Sequence, residues 1–312
     1  MRSEINFILS RTIKAYLELL KILIPVTFIV KVLDMLGIVK ILGVWLTPVM
    51  NLVGLPGEMA LVWATGLISS PYAAIFAYTA IAKSVPITIA QITVLSTMLL
   101  IAHNLIIEVT IGKKIGINII YQLVLRIAAA FLLGILLNQV YTHFILLTNM
   151  PSSIWATEGN PASLLQWGLS TIQNFAVIFL VMFGLISLLR ILDKTHALEH
   201  IYTISEPFLR FFGMSKEAAP ITIIGMTLGI SVGGGLIIDE ANNGKLSKKD
   251  IFLVFTMMCL MHSLIEDTIV FSTIGADLSG LLVARLIYTF ILFTIISRSN
   301  LHMFHLTKAK GE

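Results

Sequence analysis

The chain has 312 residues, 57% of them hydrophobic and only 12% charged, with a mean hydropathy of +0.94. That balance is far too apolar for a soluble domain of this length and implies a lipid solvent. The net charge of +4 lies mostly in loops and argues for no nucleic-acid partner, while a single cysteine, Cys259, excludes an internal disulfide and any cysteine-based zinc or iron–sulfur site.

The start, Met1-Arg2-Ser3-Glu4, runs straight into an amphipathic segment without a small-residue cleavage site, so no cleavable signal is expected. Arg11, Lys14, Glu18 and Lys21 form one polar stripe on the first helix, the mark of an interfacial start. Residues 15–36, 86–111, 118–141, 166–192, 251–271 and 278–296 are each long and apolar enough to cross about 30 Å of hydrocarbon. Two shorter segments, 39–52 and 198–212, are expected to lie in the interface, because the second carries His200, Glu206 and Arg210. Segments 59–82 and 218–241 are apolar but interrupted, at Gly66-Leu67-Ile68-Ser69-Ser70-Pro71 and at Gly229-Ile230-Ser231-Val232-Gly233-Gly234-Gly235. Non-helical backbone at membrane depth is tolerated only inside protein or beside water, so these read as re-entrant hairpins or broken helices. A glycine-containing helix packed closely on a neighbour is the alternative.

Adding 159 to a residue number carries positions 46–133 onto the second half without a gap. Pro48 falls on Pro207, Gly54 on Gly213, Glu58 on Glu217, Gly66 on Gly225, His103 on His262, Glu108 on Asp267 and Arg126 on Arg285. Apolar coincidences are cheap in such a chain and polar ones are not, so an internal repeat is expected. Lys and Arg gather at the N-terminus, at Lys113-Lys114, at Arg190 and Lys194, at Lys245, Lys248 and Lys249, and at the C-terminus; residues 142–165 have none. If every basic cluster is cytoplasmic, each half crosses an odd number of times and the copies are antiparallel.

The expected fold is therefore an all-α integral membrane protein of two inverted-topology repeats. Each has about three spanning helices, an interfacial helix and a re-entrant or broken helical hairpin. Residues 1–145 form the first repeat, 146–165 an extracytoplasmic linker and 166–312 the second repeat, with both termini cytoplasmic and the chain in the inner membrane.

His103 and Arg126 flank the Lys113-Lys114 turn at nearly equal distance, which at about 1.5 Å per residue places both close to mid-bilayer. His262 and Arg285 repeat that arrangement. A buried Arg there costs at least about 2.5 kcal/mol and demands a partner, for which Glu108 and Glu58 serve in half one and Glu266, Asp267 and Glu217 in half two. The same groups read either as a proton or ion relay with an anion clamp, or as structural pairs that fix helix packing. Glu58 and Glu217 open the interrupted segments, where an acid complements a helix N-terminus or contacts a substrate or coupling ion. Ser69, Ser70, Asn104 and Ser231 complete the candidate set. His262 and Glu266 are four apart, a spacing usable for a metal, but two ligands do not make a site, so neither metal nor cofactor is expected. Gly233-Gly234-Gly235 lacks the Lys-Ser/Thr of a phosphate-binding loop, and no nucleophile–base pair stands out, so no enzyme is expected.

The turns Gly54-Leu55-Pro56-Gly57-Glu58 and Gly213-Met214-Ser215-Lys216-Glu217, each followed by an interrupted segment and two spanning helices, resemble the nucleoside-recognition or Gate domain. Spore-maturation membrane proteins, the permease part of FeoB-type iron transporters and, more distantly, concentrative nucleoside transporters share it, and the resemblance covers nearly the whole chain. It implies a transporter with its solute at the hairpins, or a non-transporting membrane scaffold of the spore-maturation type. The nucleoside transporters' Gly-Gln-Ser/Thr-Glu turn is replaced here by Leu55-Pro56-Gly57 between Gly54 and Glu58, and the iron permeases' Gly-Cys-Asn-Val-Pro by Gly66-Leu67-Ile68-Ser69-Ser70-Pro71. The expected partners are the lipid bilayer and a small-molecule or ion substrate, with a homo-oligomer left open.

Overall fold

A computed structural model describes residues 2–82, 84–155, 164–195 and 197–299, and every element among them is helical. The first half contains α1 (Arg2–Met35), α2 (Ile38–Met50, continued by a 3-10 turn), α3 (Met59–Ile68), α4 (Pro71–Ile81), α5 (Ile89–Ile101), α6 (Leu105–Lys114) and α7 (Ile119–His143). The second contains α8 (Leu164–Lys194), α9 (Ala197–Phe211), α10 (Ala218–Leu228), α11 (Ile230–Asn242), α12 (Lys248–Met261), α13 (Glu266–Ser272) and, after a π-helical turn at Ser279–Ala284, α14 (Arg285–Arg298). The starts are set by local chemistry. Thr88 and Gln91 form a capping box on α5, Ser247 caps α12 through the Asp250 N–H, and Pro71 occupies the first turn of α4 behind the Ser70 cap.

The chain is a multi-pass membrane protein. Five helical stretches are long and apolar enough to span: Ile89–Lys114, Ile119–His143, Leu164–Leu192, Lys248–Ser272 and Ser279–Arg298. A sixth span requires α1 to be taken with the segment that follows it, which turns away by 87°. α2 presents Val44 (73% exposed) and Trp45 (79%) outward, an apolar surface that suits lipid. Burial sorts the spans by position. In an apolar 18-residue window of each stretch, 72% of the residues are buried for α5–α6 and 78% for α12–α13, which form the centre, against 17% for Leu164–Leu192 at the periphery.

The offset of 159 also relates the element boundaries: α2, α3, α4 and α5 begin at 38, 59, 71 and 89, and α9, α10, α11 and α12 at 197, 218, 230 and 248. Left-handed backbone recurs at the same offset, in Gly54 and Gly213, Asn104 and Ser263, and Gly116 and Gly275. Two contacts join a residue to its own counterpart. The Tyr16 hydroxyl donates to the Phe175 carbonyl (3.0 Å), and the His103 and His262 Nε2 atoms lie 2.9 Å apart. Self-contacts of this kind are what a two-fold relation between the halves would produce. The counterpart helices α1 and α8 run antiparallel: Glu4 meets Arg190 and Lys194, Tyr16 meets Phe175, and Phe28 stacks edge-on against Trp167.

The interrupted segments are hairpins. In α10–α11 a Cβ at Gly233 would stand 2.6 Å from the Gly225 Cα, so two helices joined through Gly229 fold back into backbone contact. In α3–α4 the equivalent pair is Gly66 against Ala74, with Ser69-Ser70 as the tip. At about 1.5 Å per residue, ten or eleven helical residues reach about 15 Å, half the hydrocarbon thickness. The second interruption is narrower than the sequence suggests. Gly229 (φ 90°) alone breaks the helix, and Gly233-Gly234-Gly235 continue inside α11, where Gly233 packs on Gly225 and Gly234 faces Ile111.

Candidate functional site

The spans expected at 86–111 and 251–271 are not continuous helices. α5 ends at Ile101 and α6 restarts at Leu105, with Asn104 left-handed (φ 56°) between them; α12 and α13 are separated in the same way around Ser263 (φ 48°). A broken helix frees carbonyls and N–H groups that lipid cannot satisfy. The hairpins and the arginines supply the partners. The Asn104 N–H donates to the Gly66 carbonyl (3.0 Å) and the Leu264 N–H to the Met226 carbonyl (2.9 Å), so each hairpin docks at a break. Arg126, 1% exposed, donates Nε to the Ile101 carbonyl (2.8 Å) and Nη1 to the His103 carbonyl (3.0 Å), and pairs with Glu108 in the first turn of α6. Arg285, fully buried, donates Nη2 to the His262 carbonyl (2.9 Å).

The two imidazoles meet at the centre. His103 Nδ1 is 2.7 Å from the Leu99 carbonyl and His262 Nδ1 is 2.9 Å from the Met258 carbonyl, and a carbonyl can only accept. Both Nδ1 atoms therefore carry the proton, and in the neutral rings both Nε2 atoms present lone pairs, to each other, at 2.9 Å. Asp267 Oδ2 lies 3.5 Å from His103 Nε2, and His103, His262 and Asp267 offer ligand atoms all within 4.8 Å of one another. Glu266 turns aside and accepts from the Tyr72 hydroxyl of the first hairpin (3.1 Å). Several buried polar atoms here find no hydrogen-bond partner: Ser69 Oγ, Arg126 Nη2, Asp267 Oδ2, and Arg285 Nε and Nη1.

Of the residues singled out from sequence, His103, Asn104, Glu108, Arg126, His262, Glu266, Asp267 and Arg285 converge at the breaks. Ser70 serves as the cap of α4, accepting from the Ala73 N–H. Ser231 lies in the first turn of α11, and its side chain is outside the described set. Glu58 and Glu217 are corrected: neither partners an arginine at the centre. They sit at the N-caps of α3 and α10, about 15 Å of helix from the hairpin tips, Glu58 packed on Gly43 and Glu217 exposed. Neither side chain makes a cap hydrogen bond. His262 and Glu266 do not share a helical face, because the chain leaves the helix at His262, and the carboxylate near the imidazoles is Asp267. The helix breaks were missed. The apolar pattern runs through them, and their local signal was Asn104, a residue that tolerates left-handed backbone.

Among the described residues the centre is buried, with His103 and His262 each 2% exposed. A cavity of about 10 Å³, room for about one water, touches Glu108, Gln122 and Arg126. The large cleft, about 540 Å³, lies at the opposite end of α5, lined by Gly54, Thr88, Gln91, Asn138 and Tyr141.

No protein-family model matches the chain, and no solved structure matches it. A curated relative, the "Uncharacterized membrane protein YvoD" of Bacillus subtilis (strain 168), is 31% identical over 286 residues, covering 88% of each chain.

Proposed function

From the premise that the chain belongs to the family of that Bacillus subtilis membrane protein, we propose that it is an ion- or proton-coupled secondary transporter of a small polar or anionic solute. The observation that carries this reading is the convergence of two hairpin tips on two helix breaks, with unpartnered arginine, aspartate and serine atoms buried between them. Buried polar atoms without partners are costly and persist where a ligand or ion completes them. Counterpart helices that run antiparallel suit an inverted pair of repeats in the membrane, with the site where the repeats meet. Glu4 beside Arg190 and Lys194 puts the start of α1 and the end of α8 on one face, which fits both basic clusters in the cytoplasm of an inner-membrane protein. Transport would come from rocking of the hairpins against α5 and α12.

Purified protein in liposomes, tested with imposed proton or sodium gradients against a panel of polar and anionic solutes that includes nucleosides, should show gradient-dependent uptake that Arg126→Ala abolishes. Absence of flux across the whole panel would sink the proposal. A second reading, a membrane scaffold without transport, draws on the buried centre, where His103 and His262 are each 2% exposed and the adjoining cavity holds about one water.

A further inference from the structure

We propose that His103, His262 and Asp267 form a three-ligand site for a divalent transition-metal cation of the zinc class, held on the axis between the two halves. The argument begins with the two Nε2 lone pairs. With both Nδ1 protons committed to carbonyls, two bare acceptors face each other at hydrogen-bond distance in a buried site. They repel unless a positive charge sits between them. A proton would serve two nitrogens and leave Asp267 Oδ2, 3.5 Å away and without a hydrogen-bond partner, unsatisfied. A metal cation satisfies all three at once.

The spacing agrees. A tetrahedral ion with bonds of about 2.0–2.1 Å holds adjacent ligand atoms about 3.3 Å apart. Two observed edges, 2.9 Å between the nitrogens and 3.5 Å from His103 to the carboxylate, straddle that value; the third, from His262 to Asp267, is longer but within 4.8 Å, so occupancy draws the carboxylate toward His262. The outer shell is already in place: each ring's other nitrogen donates to a backbone carbonyl of the preceding turn, which fixes the tautomer and aims Nε2 inward. Charge also favours a cation. Arg126 and Arg285 stand among Glu108, Glu266 and Asp267, so with neutral imidazoles and ionised carboxylates the group carries one negative charge in a buried site. Two imidazoles and one carboxylate are the donor set of zinc and its divalent neighbours, and three protein ligands leave the fourth position open to water or another small ligand.

Binding is read on detergent-purified full-length protein without any gradient, so a protein that moves no solute still tests it. After chelator stripping and reloading with Zn²⁺, elemental analysis should find one equivalent per chain. Co²⁺ in place of Zn²⁺ should give the intense visible absorption of a four-coordinate ion. His262→Gln and Asp267→Asn should each weaken binding by at least the about 10–100-fold that loss of a mere outer-shell partner costs, while His143→Gln, on the exposed end of α7, should leave it unchanged. Failure of the wild-type chain to retain Zn²⁺ or to develop the cobalt band overturns the proposal without reliance on any variant. So does retention of full affinity in Asp267→Asn or His262→Gln.

Discussion

Removing the Arg126 guanidinium should be among the most damaging single changes in the chain. Arg126→Ala strands the buried Glu108 carboxylate, and breaking a buried ion pair from one side costs about 3–5 kcal/mol. It also strips the Ile101 and His103 carbonyls of their donors, at about 1–3 kcal/mol each where water cannot replace them. The sum exceeds about 5 kcal/mol, comparable with the whole stability of many proteins. Arg285→Ala removes one carbonyl bond, to His262, and should cost about 1–3 kcal/mol. Lys245→Ala removes an exposed pair with Glu240 and should cost under about 1 kcal/mol. Denaturation midpoints of the three variants in one detergent, with monodispersity by size exclusion, give the ranking. Glu108→Gln added to Arg126→Ala should recover part of the loss, because it removes the stranded charge. Equal midpoints for all three single variants would refute the buried-pair reasoning.

Gly233→Val should disrupt the second hairpin, because its Cβ would fall 2.6 Å from the Gly225 backbone, whereas Gly235→Ala, with nothing within 4 Å, should be neutral or stabilise by about 0.5–1 kcal/mol; thermal midpoints decide, and equal losses would contradict that packing. Asn104→Gly should be tolerated and Asn104→Val should lose about 1–2 kcal/mol, since only the second pays for left-handed backbone, as the same assay would show. Cysteines placed at Met150 and Lys248 should label from opposite faces of the membrane with an impermeant reagent, against a wild-type background silenced by the burial of Cys259; labelling from one side would overturn the odd-crossing topology.

Apolar runs and basic clusters made the membrane class legible, and polar coincidences at a fixed offset pointed to the residues that meet at the centre. Composition suffices there because lipid leaves so few places for His, Arg and acid side chains. Glu58 and Glu217 show where the same logic fails. Both are acids at matching positions, but which acid reaches an arginine depends on the height of a hairpin, and that is a three-dimensional quantity. The breaks after Ile101 and Met261 were invisible for a different reason: helices in hydrocarbon are expected to continue, and only tertiary donors such as Arg126 make stopping affordable. Neither imidazole contact nor tautomer could be read before the two halves were brought together.

The bond from Tyr16 to the Phe175 carbonyl is returned by nothing, because Phe175 has no hydroxyl. In a dimer of identical subunits the residue at a two-fold must be the same on both sides, and every substitution is made twice. A single polypeptide carries no such constraint. The chain differs at several matched positions: Ser70 against Gly229 at the hairpin tips, Gln91 against Asp250 in the first turns of α5 and α12, and Glu108, long enough to close on its arginine, against Asp267, one methylene shorter and turned to the imidazoles. Glu108 braces an arginine and Asp267 meets an imidazole, roles that two identical acids in a symmetric assembly could not divide between them.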